Sequence, residues 1–535
     1  MRIPPRRPAP AAPARLSGTG LARTAALLLP VLLGVAWLTA GTGRFGHLGF
    51  PMDDPYIHFQ FARNLAAGAG FSFNPHQPVP GATSPLWVIL LATTHLCGLP
   101  IESAAAGLGL AAAALACLMT FEVGRMCGLS RTLASFAALC VAAAGRFSWA
   151  SLSGMEICFA TGLSLALVRM HASGLRGWRR GVALGTLAGL AANARPELAV
   201  LGVAIGVLEA LGAGRPAGAR GRGEGAPALP HRRLAELLAY AATFALTLAP
   251  YVLFCLATSG RPFPNTFYAK AVIPLAFGRA LASRRAAYLP EMLQWALDDN
   301  LLAGALLVPG LVLWWRRSGP LAARAVGLWP LLFWAYALAL YPQHFSLSRY
   351  SMPLIPFQAM LSMAPIEWLQ GRIRRPAGRS LVAVSAAVLF LLSAARSQSQ
   401  LQPIYLAQVE NILRMQVTMG EWVADHLPPG ARVATNDVGA ITWYGGRYCI
   451  DTIGLVNSEL IGLQLEDQRR FGRVDLEASV TAYLTRNPPD FCILFPAWYP
   501  HLTRAAWLRP IYDIRFPNVT GGGDQLVAYQ VVGRP

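Results

Sequence analysis

Two carboxylates stand side by side in the stretch GFPMDDPYIHFQFARNLAAGAGFSFNPHQPVPGATSPLW, residues 49–87. Asp53 and Asp54 come shortly after the first apolar segment, in a chain that places few acids near its apolar segments. A carboxylate at such a boundary can take the proton of an attacking hydroxyl. A second reading is local: Met52-Asp53-Asp54-Pro55 is also an ordinary helix start, with Asp as the cap and Pro at the first helical position. That reading accounts for one Asp more naturally than for two. A third uses the spacing of Asp54 and His58, one helical turn apart, which with Asp53 could offer ligands to a divalent cation.

Cations that could face this pair are few. Arg63 follows on the same stretch, Arg195 lies in ARPEL, Lys270 in PNTFYAKA and Arg349 in SRYSMPLIP. Lys270 is the only lysine of the chain. Each Arg at a membrane boundary also reads as an anchor that snorkels to the interface, and Glu197 reads as a partner for Arg195. Together, an acid that takes a hydroxyl proton and cations that stabilise a departing phosphate are what sugar transfer from a lipid phosphate requires.

The elements that must position these groups are mostly membrane-like. The 535 residues are 54% hydrophobic and only 13% charged, with a mean hydropathy of +0.42. Soluble chains carry about twice that share of charge. The net charge of +19 does not point to nucleic acid, because the basic residues cluster in short loops between apolar stretches, the positive-inside pattern. Residues 1–20 are Pro-, Ala- and Arg-rich and predict a disordered cytoplasmic N-terminus. A membrane domain then spans 21–398, with a first outer loop at 41–102. Placing every basic loop inside requires that one of the two apolar stretches between the first span and the Arg125–Arg131 loop does not cross. Ser84–Gly98 is short, starts at a Pro85 turn and carries His95 and two Thr, so it predicts a helix lying in the outer interface. The count becomes eleven spans, with the N-terminus inside and the C-terminus outside. The Asp53–Asp54 loop, the Arg195–Glu197 turn, the Arg261–Asn300 loop and the His344–Arg349 loop then share the outer face.

Residues 399–535 differ in kind. The segment 401–535 holds 13 of the 26 Asp and Glu against 11 Arg. Helical spacing over Tyr405–Leu427 is followed by short β-like runs in RVATND, YCIDTIG, DFCILF and LVAYQVV, with helices between. This predicts a small extracytoplasmic α/β domain for substrate binding or positioning. Cys449 and Cys492 could pair there.

The pieces DDPYIHFQFARNLAAGAGFSFNP with GATSPLW, SGMEI (153–157), ARPEL (194–198), PNTFYAKA (264–271), SRYSMPLIP (348–356) and NDVGAITWYGGRYCIDTIGLVN (436–457) occur in order over most of the chain. They resemble GT-C glycosyltransferases that use polyprenyl-phosphate sugars, closest to the bacterial subgroup with the terminal arabinofuranosyltransferases and related mannosyltransferase-like enzymes. The resemblance implies a GT-C membrane fold in the bacterial inner membrane, with interfacial helices after the first span. It implies inverting transfer of a pentose or hexose, on the outer face, to a cell-envelope glycan, glycolipid or protein. It makes Asp53, then Asp54, the candidate base. By the same analogy Lys270 and Arg349, with Arg195 and Arg63 on the same predicted face, are candidate contacts of the donor phosphate. His58, Glu156, Glu197 and Tyr268 are further site candidates. Two positions depart from the family pattern: Pro55 follows the Asp pair, and Gln60-Phe61 replaces an Arg-Tyr pair. A lipid-linked glycan polymerase or ligase, a lipid or solute transporter, and an inactive glycolipid-binding relative stay open as alternatives.

Overall fold

The structure is a computed structural model and describes residues 18–173, 175, 177–211, 230–276, 281–316, 321–340, 346–472 and 474–533. The expected disorder at the N-terminus concerns residues 1–17, outside the described residues, as do His344 and most of the Arg215–Arg233 loop.

The described chain is mostly helical, with one C-terminal sheet. The first helix, α1 (Gly18–Phe45), has 28 residues and reaches about 42 Å at 1.5 Å per residue. Helix α2 (Asp54–Ala66) carries the second acid of the pair at its start. Helix α3 (Pro85–Leu96) is 12 residues long, about 18 Å, too short for a hydrocarbon core of about 30 Å. Its Trp87, Val88 and Leu91 are buried while Ile89 and Leu96 are exposed, a two-sided apolar surface that suits the lipid–water boundary. Helix α4 (Ile101–Met126) is again long, with 26 residues.

Helix length supports fewer crossings than the eleven expected. Among the described residues four helices are long and apolar enough to cross: Gly20–Phe45, Ile101–Met126, Arg233–Ser259 and Pro376–His426. Arg131–Ala142 and Gly145–Ser151 make a fifth only if the pair, bent by 61°, is one span. The other apolar stretches fold as shorter or interrupted helices, such as Ile157–His171 and Leu198–Ala210. Where one apolar stretch holds two helices, as Leu301–Trp315 does, composition alone does not show the break.

The helix Pro376–Ile412 runs unbroken out of the membrane part, through a π-turn at Leu413–Val417, into the helix Thr418–His426. The sheet follows: β1 (Arg432–Thr435), β2 (Tyr448–Asp451), β3 (Phe491–Leu494), β4 (Leu508–Arg515) and β5 (Gln525–Val531). Its order is β2-β1-β3-β5-β4. β1 is parallel to β2 and β3, and β5 is antiparallel to β3 and β4. Sequence reading missed β4, which contains Pro510. That proline is tolerated because β4 is an edge strand with an irregularity between Pro510 and Tyr512. Cys449 on β2 and Cys492 on β3 have β1 between them, about 9–10 Å at the usual strand spacing. Both are free thiols, so the pairing that the sequence left open does not form.

The first outer loop is packed on this sheet domain. Asn74 Nδ2 donates to the Cys449 carbonyl at 2.8 Å, and the Cys449 N–H donates back to Asn74 Oδ1 at 2.9 Å. The pair satisfies the free edge of β2, which would otherwise expose unpaired backbone groups. Tyr56 and Phe59 of α2, both fully buried, meet Tyr444 and Trp443 at 5.8 Å between ring centroids. Burying each such ring is worth roughly 1.5–3 kcal/mol, so the loop is held firmly.

Candidate active site

The chain places its acids by helix starts. Asp53 caps α2 and Pro55 occupies the first turn, as the local reading expects. The side chain of Asp53 does not cap its own helix, however. It reaches across to the sheet domain, where Oδ2 accepts the Gly439 N–H and Oδ1 accepts the Ala440 N–H, both at 2.7 Å. Those groups open the short helix Gly439–Gly445 that follows β1. Gly439 is required there: a Cβ would lie 2.2 Å from the Asp53 carbonyl oxygen.

Asp54 turns the other way. Its Oδ2 accepts from Nη2 of Arg349, which also donates to the Tyr350 hydroxyl at 3.2 Å. The Tyr350 ring is a hub of cations, with Lys270 Nζ 4.8 Å, Arg195 Cζ 5.1 Å and Arg349 Cζ 5.3 Å from its centroid. Arg195 donates to Glu197 Oε1 at 2.6 Å and to Glu156 Oε1 at 3.3 Å. The backbone before Arg349 is unusual. Ser346, Leu347 and Ser348 all have φ between 46° and 57°, a left-handed run that L-residues adopt at a cost. It turns Arg349 and Tyr350 into the site.

These groups line one cavity of ≈ 320 Å³. Asp53, Asp54, His58, Glu156, Arg195, Glu197, Lys270 and Arg349 all reach it, so most of the sequence candidates converge. Arg63 and Tyr268 do not. Arg63 lies on the Trp443 ring at 4.3 Å, within the contact between loop and sheet domain. Tyr268 packs on Phe263 and Phe267 and under Arg261. Each is spent on packing, which sequence spacing could not distinguish from ligand contact.

Among the lining residues that sequence reasoning missed are Tyr350, Gln416, Asp437 and Trp498. Asp437 follows β1 directly, and Gln416 Nε2 donates to its Oδ2 at 2.7 Å. Trp498 comes four residues after β3. In the order β2-β1-β3 the chain leaves β1 toward one side and returns to its other side. The crevice beyond the carboxyl ends of β1 and β3 is thus a topological switch point, where open α/β sheets commonly bind ligands. That rule was a signal available in advance, had the strand order been known.

Electrostatics separate the two acids. Burial raises the proton affinity of Asp53 well above the usual carboxylate range, Asp437 adds to this, and the two backbone N–H groups only partly offset it. Burial acts on Asp54 in the same direction, but Arg349 and Lys270 outweigh it and hold Asp54 below the usual range. Asp437 is pushed up to about 6, chiefly by burial. One site therefore holds a carboxylate of raised proton affinity beside one of lowered proton affinity. Among the described residues no group of three or more His, Cys, Asp or Glu is arranged to hold a metal ion, and His58 Nδ1 faces the Asp54 carbonyl oxygen at 3.3 Å.

A helical membrane part whose first outer loop closes a charged cavity against a C-terminal mixed sheet defines the class. Two solved structures of ArnT from Cupriavidus metallidurans share this fold. The form bound to undecaprenyl phosphate matches with a TM-score of 0.59 at 14% identity, over 96% of this chain and 98% of that one. The apo form matches with a TM-score of 0.55 at 13% identity, over 95% and 98%. Residues 404–529 match the model of a domain of unknown function, DUF8728, which covers the sheet domain. No curated protein matches the chain.

Proposed function

We propose that this protein is a membrane glycosyltransferase that moves a sugar from a polyprenyl-phosphate donor to an acceptor hydroxyl of a cell-envelope glycan, glycolipid or protein. The observation that carries this reading is the meeting, in one cavity, of a carboxylate with raised proton affinity and a cation cluster of Lys270, Arg349 and Arg195. The shared fold with an ArnT structure holding undecaprenyl phosphate supports a lipid-phosphate ligand, as do the motifs that resemble GT-C enzymes.

The mechanism follows from the charges. The acceptor oxygen attacks the anomeric carbon, and its proton passes to the Asp53 carboxylate. The bond between the anomeric carbon and the phosphate oxygen breaks, and the electron pair leaves with the lipid phosphate. Lys270 and Arg349 stabilise the charge that develops on that phosphate. Asp54 is the weaker base because its charge is already paired, and it orients Arg349. Attack opposite the leaving phosphate inverts the anomeric centre.

The test is transfer in membranes from radiolabelled polyprenyl-phosphate pentoses and hexoses, comparing wild type with Asp53→Asn. Transfer by wild type and a loss of at least about 100-fold in the folded variant is expected. Wild-type membranes that transfer from none of these donors would remove the proposal.

A further inference from the structure

Four of the buried polar atoms without a hydrogen-bond partner belong to residues of the membrane part that line the cavity: His58 Nε2, Ser84 Oγ, Glu156 Oε2 and Thr266 Oγ1. The four residues are between 0% and 6% exposed. Native structures pair nearly all such groups, and leaving them dry and unpaired is costly. Four around one cavity, contributed by four separate segments, mark a lining that a ligand completes.

Their chemistry says what kind. Glu156 Oε2 only accepts hydrogen bonds. His58 Nδ1 faces the Asp54 carbonyl oxygen at 3.3 Å, which requires the proton on Nδ1 and leaves Nε2 as an acceptor when the ring is neutral. Burial lowers the proton affinity of His58, against the pull of Glu156 and Asp54, and favours that neutral ring. Ser84 and Thr266 can donate or accept. A phosphate has only acceptors at these distances and cannot satisfy Glu156 or His58. The cations that suit a phosphate stand around Tyr350 instead. Glu156 also has one oxygen on Arg195, so its charge is already countered and a neutral donor suits the other oxygen better than an ammonium.

We infer that His58, Ser84, Glu156 and Thr266 form a hydroxyl-reading subsite for the neutral sugar ring of the donor, adjoining the cation cluster that holds its phosphate, to which Glu156 is tied through Arg195. This rests on the glycosyltransferase reading above. It turns two motifs of unassigned role, SGMEI and GATSP, into specificity elements.

The experiment measures binding by native mass spectrometry of the full-length protein released from detergent. The probes are undecaprenyl phosphate, the same lipid carrying a neutral pentose or hexose, a singly deoxygenated form of each, and an amino-sugar form. Wild type should bind one neutral sugar-phosphate lipid at least about tenfold more tightly than the bare lipid phosphate, and a deoxy form should lose that gain. Ser84→Ala and Thr266→Val should each erase most of the gain while binding bare undecaprenyl phosphate as wild type does. The unchanged affinity for the bare lipid shows that the variants fold. A gain that survives both substitutions, a gain absent for every neutral sugar, or a gain confined to the amino sugar would overturn the subsite. Failure of wild type to bind the bare lipid phosphate is a separate result, which overturns the glycosyltransferase reading and the subsite with it.

Discussion

Arg349 joins the two ends of the membrane part at one carboxylate: its Nη2 donates to Asp54 Oδ2 across 295 residues of sequence, while Nη1 lies 3.0 Å from Met52 Sδ. The guanidinium is thereby fixed in direction before any substrate arrives. Asp54→Asn removes the charge that orients it. The expected outcome is a fall of about 10²-fold in kcat/KM for sugar transfer, the scale of losing one preorganised charge-stabilising donor, with little change in the melting temperature. Arg349→Lys should fall as far, because an ammonium cannot hold Asp54 and Tyr350 together in the planar geometry of a guanidinium. Steady-state transfer assays beside thermal melts decide it, and unchanged transfer in both variants would show that the cation is positioned otherwise.

The clamp between Asp53 and the sheet domain makes a different prediction, about Gly439. A methyl group there meets the Asp53 backbone at 2.2 Å and its carboxylate at 2.6 Å, so one partner must shift. Gly439→Ala should cost about 1–3 kcal/mol of stability, as overpacking does, and should reduce transfer by moving the base. Gly162→Ala is the control, since a Cβ there meets nothing within 4 Å. Equal melting temperatures for the two variants would mean that the clamp yields without cost.

How much of this was written in the sequence follows from the same contacts. Asp53, Asp54, Lys270 and Arg349 stand out because a charge is rare in an apolar chain and costly unless used. Asp437 gave no such signal: it lies in a domain where acids are common, and its neighbourhood with Asp53 exists only through pairing between positions 386 residues apart. Tyr350 was hidden beside a more conspicuous Arg. Arg63 misled for the opposite reason, since a cation near the acids in sequence turned out to be stacked on Trp443. Helix breaks and the edge strand with Pro510 were equally invisible, because both are set by tertiary packing and not by local periodicity.

The two raised carboxylates predict a pH dependence with a definite sign. Asp53 must be ionised to accept a proton, and burial together with Asp437 favours its neutral form. Activity is therefore lost as pH falls through the raised value, so kcat/KM should show an acid limb well above the ordinary carboxylate range. Asp437→Asn removes one of the charges that oppose ionisation of Asp53, so the limb should move to lower pH. The pair titrates together, and the limb reports the pair. A pH profile of kcat/KM for wild type and Asp437→Asn measures this. A limb that stays in place would mean that Asp437 does not act on the base.

Tyr350 separates the role of a ring from that of a hydroxyl. Three cations lie within about 5.3 Å of its ring centroid, while its hydroxyl accepts from Arg349 at 3.2 Å. Burial would raise the proton affinity of the phenol, but Arg349 and Lys270 outweigh it and lower it. The ring face attracts cations through its quadrupole, by roughly 0.5–2 kcal/mol each where desolvated. Tyr350→Phe keeps that face and loses only the hydroxyl, so transfer should fall by no more than about tenfold, the value of one such hydrogen bond. Tyr350→Leu removes the platform on which all three cations are gathered and should weaken binding of undecaprenyl phosphate much further. Binding of that lipid to the two variants, measured beside transfer, tells whether the ring assembles the cations. Equal affinities would assign the assembly to the carboxylates, Asp54 at Arg349 and Glu197 with Glu156 at Arg195.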